Sequence, residues 1–308
     1  MGSTILQLCQ DACDEPALSL GRPSTLFASD NNGDDSDRKL LRALTATCRF
    51  LQKDYDWQVL AREASFETVA QQSQPGVVPS DWLRFVPDTF WNRTARWKLA
   101  GPISPQERQQ FKAWYTGTVV PYFWQQGDAI QLFPVPDAGL LCSFEYIANA
   151  IGYAAGSVAV SATSTADSRT MTLGSTTGLS VGMTISGPTI PPDTVITALE
   201  TDTEITLSNR ASATLSSGAY TARTPRVRFS ADTDVTVWED ELIVRGIVWQ
   251  YRKGERLDYA QDQADFEKAK ADVLKQDGGR RKFSMNGRTP TAQERIDQMR
   301  SAAVVIRT

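Results

Sequence analysis

The stretch MTLGSTTGLSVGMTISGPTIPPDTVITALETDTEITL runs from Met171 to Leu207 and decides the fold class of its region. Its apolar residues do not recur at helical spacing. They form short alternating runs instead: Met171-Thr172-Leu173, Met183-Thr184-Ile185, Thr194-Val195-Ile196 and Glu204-Ile205-Thr206-Leu207. Alternation with period two puts one apolar face on each strand. The turns Ser186-Gly187-Pro188 and Ile190-Pro191-Pro192-Asp193 separate the runs. Residues 151–220 carry 25 Ser and Thr in 70 positions, with neither Lys nor Trp, and the composition changes back beyond them. Residues 153–223 are therefore expected to be an all-β domain of the sandwich or barrel kind, sandwich-like as the leading form, inserted into a different body.

Outside the insertion the patterning is mostly helical. Ile5, Leu8, Cys9 and Ala12 follow the spacing of one helix face, and Pro16 stops that helix. The polar loop 29–37 begins like a calcium loop with Asp30, Asn32 and Asp34. It then has Asp35 where the pattern needs Gly and Leu41 where it needs Glu, so the pattern fails. Its acids suit the start of a helix over 36–53 with the stripe Leu40, Leu41, Leu44, Cys48 and Leu51. Residues 57–70 look extended and 79–97 irregular and aromatic. Ser104-Pro105-Gln106-Glu107 is a capping box with proline at the first helical position. Strands are expected at 119–124, 129–133 and 140–147. The stretch 238–253 predicts a buried helix and 257–276 a more polar one. The expected class is α+β: a helical body with a small antiparallel β element, the inserted domain, and an extended C-terminal tail. The body takes residues 1–152 and 224–279, and the tail takes 280–308.

The 308 residues include no histidine, which removes Ser-His-Asp and Cys-His catalysis and imidazole zinc sites. Cys9, Cys13, Cys48 and Cys142 lack paired CxxC spacing, so a four-thiolate zinc site is disfavoured and no metal or cofactor is expected. Four cysteines are too few for a disulfide scaffold, and a reducing compartment suits them better. No membrane-length apolar run and no signal peptide is visible, and no membrane partner is expected. Phosphate-loop and dinucleotide motifs are missing too, and the nucleophile-elbow spacing of Gly178-Leu179-Ser180-Val181-Gly182 has no histidine to serve it. What remains for catalysis is carboxylates. Asp81 and Asp88 lie among aromatic residues that could stack on sugar, as in a virion-associated cell-wall glycosidase. Glycan binding by residues 153–223, as in an adhesin, is a further alternative.

Trp82, Trp91, Trp97, Trp114 and Trp124 fall within 43 residues. They could stack single-stranded nucleic acid, but without a basic run they fit core packing and subunit contact better. The net charge of −4 is uneven. Seven bases (Arg280, Arg281, Lys282, Arg288, Arg295, Arg300, Arg307) against two acids leave residues 280–308 at +5, so the rest of the chain carries −9. Phosphate binding, an acidic protein partner and a solvated end are all open for this tail. The apolar finish Ala302-Ala303-Val304-Val305-Ile306 favours ordering on a protein partner.

Several stretches resemble a known family. Thr4-Ile5-Leu6-Gln7-Leu8-Cys9-Gln10-Asp11-Ala12-Cys13 is similar to the start of the head-to-tail adaptor (connector or neck) proteins of short-tailed bacteriophages, and so is Tyr55-Asp56-Trp57-Gln58-Val59-Leu60. Val78-Pro79-Ser80-Asp81-Trp82-Leu83-Arg84-Phe85, Asp88-Thr89-Phe90-Trp91-Asn92-Arg93-Thr94 and Gly101 to Gln106 resemble the central part. Phe229-Ser230-Ala231-Asp232-Thr233-Asp234 and Gly254 to Tyr259 resemble the C-terminal part. The likeness covers roughly residues 3–150 and 224–287. It implies a non-enzymatic virion protein, assembled in the host cytoplasm and placed in the neck between capsid and tail. There it would form a homo-oligomeric ring, usually of twelve copies, below the portal protein. The ring would extend the DNA channel, let double-stranded DNA pass without specific binding, and offer the tail tube or nozzle its attachment surface. The tail would dock on the portal through Arg280, Arg281, Lys282, Phe283, Arg288, Arg295, Arg300, Val304, Val305 and Ile306. The five tryptophans would serve subunit packing, and residues 153–223 would face the tail or its fibres.

Overall fold

The computed structural model describes residues 2–18, 20–27, 35–114, 121–192 and 194–277, the side chains of 111–114 excepted. The helices within them are α1 (Ile5–Asp14), α2 (Asp35–Asp54), α3 (Pro105–Trp114), α4 (Asp240–Gly254) and α5 (Ala260–Asp277). The chain divides into two units, one of Met1–Arg62 with Ile147–Gly279 and the other of Glu63–Tyr146.

In the first unit α4 packs against α1, α2 and α5. The apolar faces meet as their spacing requires: Ile5, Leu8, Cys9 and Ala12 of α1, Leu40, Leu44, Cys48 and Leu51 of α2, and Leu242, Ile243 and Ile247 of α4 are all buried. Thr4 caps α1 reciprocally with Gln7, accepting from Gln7 N at 3.3 Å while Thr4 N donates to Gln7 Oε1 at 2.9 Å. The same helix start is held by a distant loop, because Ile5 N donates to Asp234 O at 2.9 Å and Leu6 N to Asp232 O at 3.3 Å. The Asp234 carboxylate is fully buried and accepts from Ser230 N at 2.8 Å, Ala231 N at 3.1 Å and Arg226 Nε at 3.3 Å. Asp232 accepts from Thr25 Oγ1 at 2.5 Å and Leu26 N at 2.8 Å.

A small antiparallel sheet in this unit orders Pro225–Arg226, Gly152–Tyr153 and Val235–Thr236. Beyond it the chain forms a closed barrel in the order Val158–Ser164, Thr170–Leu173, Glu204–Leu207, Thr194–Thr201, Thr184–Ser186, Leu215–Arg223. The last strand pairs with the first, with Val160 opposite Tyr220. Closure leaves the barrel no free edge. The inward residues Met171, Leu173, Ile185, Ile196, Ile205 and Leu207 fill it. The Tyr220 ring lies against Gly187 and Gly218, where any β-carbon would crowd it. Its hydroxyl meets Thr189 Oγ1 at 2.5 Å, and Thr189 Oγ1 meets Ser164 Oγ at 2.8 Å, so the buried hydroxyls satisfy one another.

The second unit holds two sheets. One orders Ala61–Glu67, Leu141–Ala148, Trp91–Asn92 and Trp97–Lys98, with Trp82–Phe85 also on Leu141–Ala148. The other orders Ser73–Gln74, Ala129–Phe133 and Tyr122–Gln126. At the start of α3, Ser104 N donates to Glu107 Oε2 at 2.8 Å and Glu107 N to Ser104 Oγ at 3.2 Å.

The expected helical body with a small β element is overturned. Strand slightly exceeds helix, at 30% against 28% among the described residues, and the inserted region is a closed six-stranded barrel rather than a sandwich. Two physical causes account for the difference. Residues 79–97 read as irregular because their strands are only two to four residues long and half-exposed, too short to print a period of two. Closure, in turn, depends on the pairing of 158–164 with 215–223, which no local pattern encodes.

The α2–α4 contact gives a test. A β-carbon at Gly246 of α4 would overlap Thr47 Cγ2 of α2 and lie 3.1 Å from Phe266 Cε2. Gly246→Ala is favoured by helix propensity by about 1 kcal/mol, but overpacking of this kind costs about 1–3 kcal/mol. The variant should therefore unfold at lower urea concentration than wild type, and adding Thr47→Ala should recover most of the loss. A Gly246→Ala protein more stable than wild type would contradict this packing.

Candidate assembly surface

Phe90 places the second unit's aromatic core. It stacks on Phe123 with centroids 4.4 Å apart and on Phe144 at 5.2 Å. Phe85 closes edge-on against both Phe123 and Phe144. Strand alternation then turns the next residue, Trp91, outward. Trp91 stands opposite Lys98, and Asn92 opposite Trp97, in a hairpin whose other edge pairs Trp91 with Ser143. Trp91 and Trp97 keep 44% and 55% of their surface exposed.

The hairpin is braced by side chains as well as by its ladder. Asn92 Oδ1 accepts from Ala95 N at 2.9 Å across the four-residue loop, and Arg96 takes the left-handed conformation such a loop needs, with φ of 60°. Arg93 Nε donates to Ser143 Oγ at 2.6 Å and its guanidinium pairs with Glu63. Thr94 Oγ1 accepts from Leu141 N at 2.9 Å. Lys98 Nζ meets Asp88 Oδ1 at 2.6 Å. Two indoles are thus held in water on a positioned frame. Indoles in that setting are favoured anchors of protein contacts, since little conformational entropy is lost when they are covered.

The remaining tryptophans differ. Trp82 is half-buried on its strand and packs on Phe85 at 5.2 Å. Trp124 is buried, with the Arg108 guanidinium 5.6 Å from its ring centroid. Trp114 ends α3, and its side chain lies outside the described residues, as does the whole proposed portal-docking tail from Arg280 to Ile306. Of the four candidates for subunit packing whose side chains are described, Trp91 and Trp97 are the two displayed to solvent.

Both candidate catalytic acids have other work. Asp81 is buried and accepts from Tyr146 Oη at 2.9 Å. Asp88 lies in a turn with φ of 69° and is held by Lys98. All four cysteines are buried, and burial raises their thiols; Cys142 is pushed up to about 12. Among the described residues no group of three or more His, Cys, Asp or Glu could hold a metal ion, and no helix is long and apolar enough to cross a membrane. The barrel's outer face is lined with hydroxyls that bond across its strands, as Ser161 does with Ser217 and Thr163 with Ser216 O.

No family model and no curated protein matches the chain.

The thiol environment has a direct check. At about pH 8, an aromatic disulfide reagent should titrate none of the four cysteines quickly in the native protein and all four in guanidinium, because the reactive species is the thiolate. A fast-reacting thiol in the native state would contradict the burial described.

Proposed function

We propose that the chain is a structural virion protein, a head-to-tail adaptor whose copies form a closed ring below the portal. The single observation that carries the proposal is the braced hairpin with Trp91 and Trp97 in solvent. It lies in a stretch similar to the adaptor family, Asp88 to Thr94, and continues just beyond it. A ring needs two different surfaces per subunit that fit each other head to tail, and exposed indoles on a fixed frame suit one of them. Two other family-like stretches, Thr4 to Cys13 and Phe229 to Asp234, meet in the fold through Ile5 N and Asp234 O. In this proposal the tail from Arg280 to Ile306 docks on the portal, the barrel faces the tail tube, nozzle or fibres, and double-stranded DNA passes through the lumen without specific binding. The work is assembly rather than catalysis.

Removing both rings tests the role of the hairpin. Trp91→Ala with Trp97→Ala should leave thermal unfolding within about 0.5 kcal/mol of wild type, as for other exposed substitutions. The variant should lose co-sedimentation with portal rings by tenfold or more, since hot-spot tryptophans carry about 2 kcal/mol or more each. Undiminished co-sedimentation would remove the hairpin from the assembly surface. The glycosidase alternative is tested by peptidoglycan hydrolysis. The adaptor proposal expects none, and robust hydrolysis lost in Asp81→Asn with Asp88→Asn would replace it with an enzyme.

A further inference from the structure

The outward face of α2 carries a feature independent of the adaptor proposal. From Arg38 to Lys53 there are five bases and no acid. Lys39 is already engaged, meeting Asp35 and Glu255 at 3.0 Å each. Arg38, Arg42, Arg49 and Lys53 are all exposed, and no ion pair engages them among the described residues. Their spacing of four, seven and four residues places all four within an arc of about 60° at about 100° per residue. They form a straight line about 22 Å long at 1.5 Å per residue. Thr45 and Ala46 flank the gap, each about 20° outside the arc, so no bulky side chain interrupts the line.

We infer that this line is a docking track for the sugar–phosphate backbone of double-stranded DNA. Three features select that occupant. Arginine dominates the line, and its planar fork matches phosphate oxygens. The arc presents no aromatic ring on which unpaired bases could stack, which a single-strand track would need. Phe50, the aromatic of this stretch of helix, is turned into the contact with Trp249 and Phe266. A second copy of the chain is a poorer fit, because many acids of α1, α4 and α5 are matched locally: Asp14 by Arg22, Glu241 by Arg245, Asp262 by Arg252, Glu267 by Lys270 and Asp272 by Lys275. Screening confines the protein's overall negative charge to short range, since the Debye length is about 8–10 Å at physiological salt. The line therefore acts at contact. Beside it lies a groove of about 380 Å³ between α2 and α4, lined by Arg42, Ala46, Gln250 and Tyr251 together with the Lys39–Glu255 ion pair, which neutralises the carboxylate there. Contacts of this kind position a duplex without reading its sequence.

The test is binding of a 30-base-pair random-sequence duplex to the full chain, measured by fluorescence anisotropy across salt concentrations. The variant replaces Arg38, Arg42, Arg49 and Lys53 with Gln, a good helix former, and its circular dichroism and melting should match wild type. Each phosphate contact contributes about 0.9 to the slope of log K against log salt. The four-Gln variant should lower that slope by about 3 to 4 and weaken binding at least tenfold at about 50 mM salt. The same drop should appear in a background of Arg280→Gln, Arg281→Gln and Lys282→Gln, which separates the line from the basic tail. An unchanged slope in either background overturns the inference. So does a variant that binds DNA normally but changes self-association, which would make the line a contact between copies. Neither result bears on portal binding, so this inference and the adaptor proposal fail separately.

Discussion

Asp234 ties together parts of the chain that lie far apart in sequence, its buried carboxylate holding the loop from Arg226 and its backbone carbonyl reaching α1. It accepts from Ser230 N, Ala231 N and Arg226 Nε, while its own backbone carbonyl accepts from Ile5 N at the start of α1. A buried carboxylate is tolerated only where hydrogen bonds replace its water, and here backbone amides and a guanidinium do so. Arg226 lies on the strand that returns from the barrel, and Val235–Thr236 leads toward α4. One residue, through side chain and backbone together, thus fixes the entry of α1, the return from the barrel and the approach to the buried helix. The barrel can be long and self-contained because its exits, Ala154 N and Thr224 O, are bonded at 2.9 Å.

A second constraint sets the character of the Glu63–Tyr146 unit. Short strands cannot bury much area individually, so the unit relies on rings: Phe85, Phe90, Phe123 and Phe144 pack edge and face on one another. With Phe90 committed inward, alternation leaves Trp91 outward. The exposed indole is therefore a consequence of how the core is built, and the side-chain braces around it keep it in one place.

Much of the helical part was legible in the sequence because helical spacing is long and redundant. The stripe of α2, the capping box at Ser104 and Glu107, and the start of α1 all follow from it. The strand Ala129–Phe133 and the alternating runs Met171–Leu173 and Glu204–Leu207 were legible for the corresponding reason in strands. The strands at 82–85, 91–92 and 97–98 were not, because two to four residues give alternation nothing to repeat. Barrel closure and the Asp234 tie depend on partners far away in sequence. Among the tryptophans, sequence spacing does not separate buried Trp124 from exposed Trp91. The basic line on α2 follows the same helical periodicity as the apolar stripe and lies on the face opposite it.

The central claim is that copies of this chain assemble around a portal. Negative-stain microscopy of the purified protein mixed with portal rings tests it most directly. The account predicts a rotationally symmetric collar added to one end of the portal, with a continuous axial channel. Portal rings left bare while the protein stays dispersed, at concentrations well above those used for co-sedimentation, would contradict it.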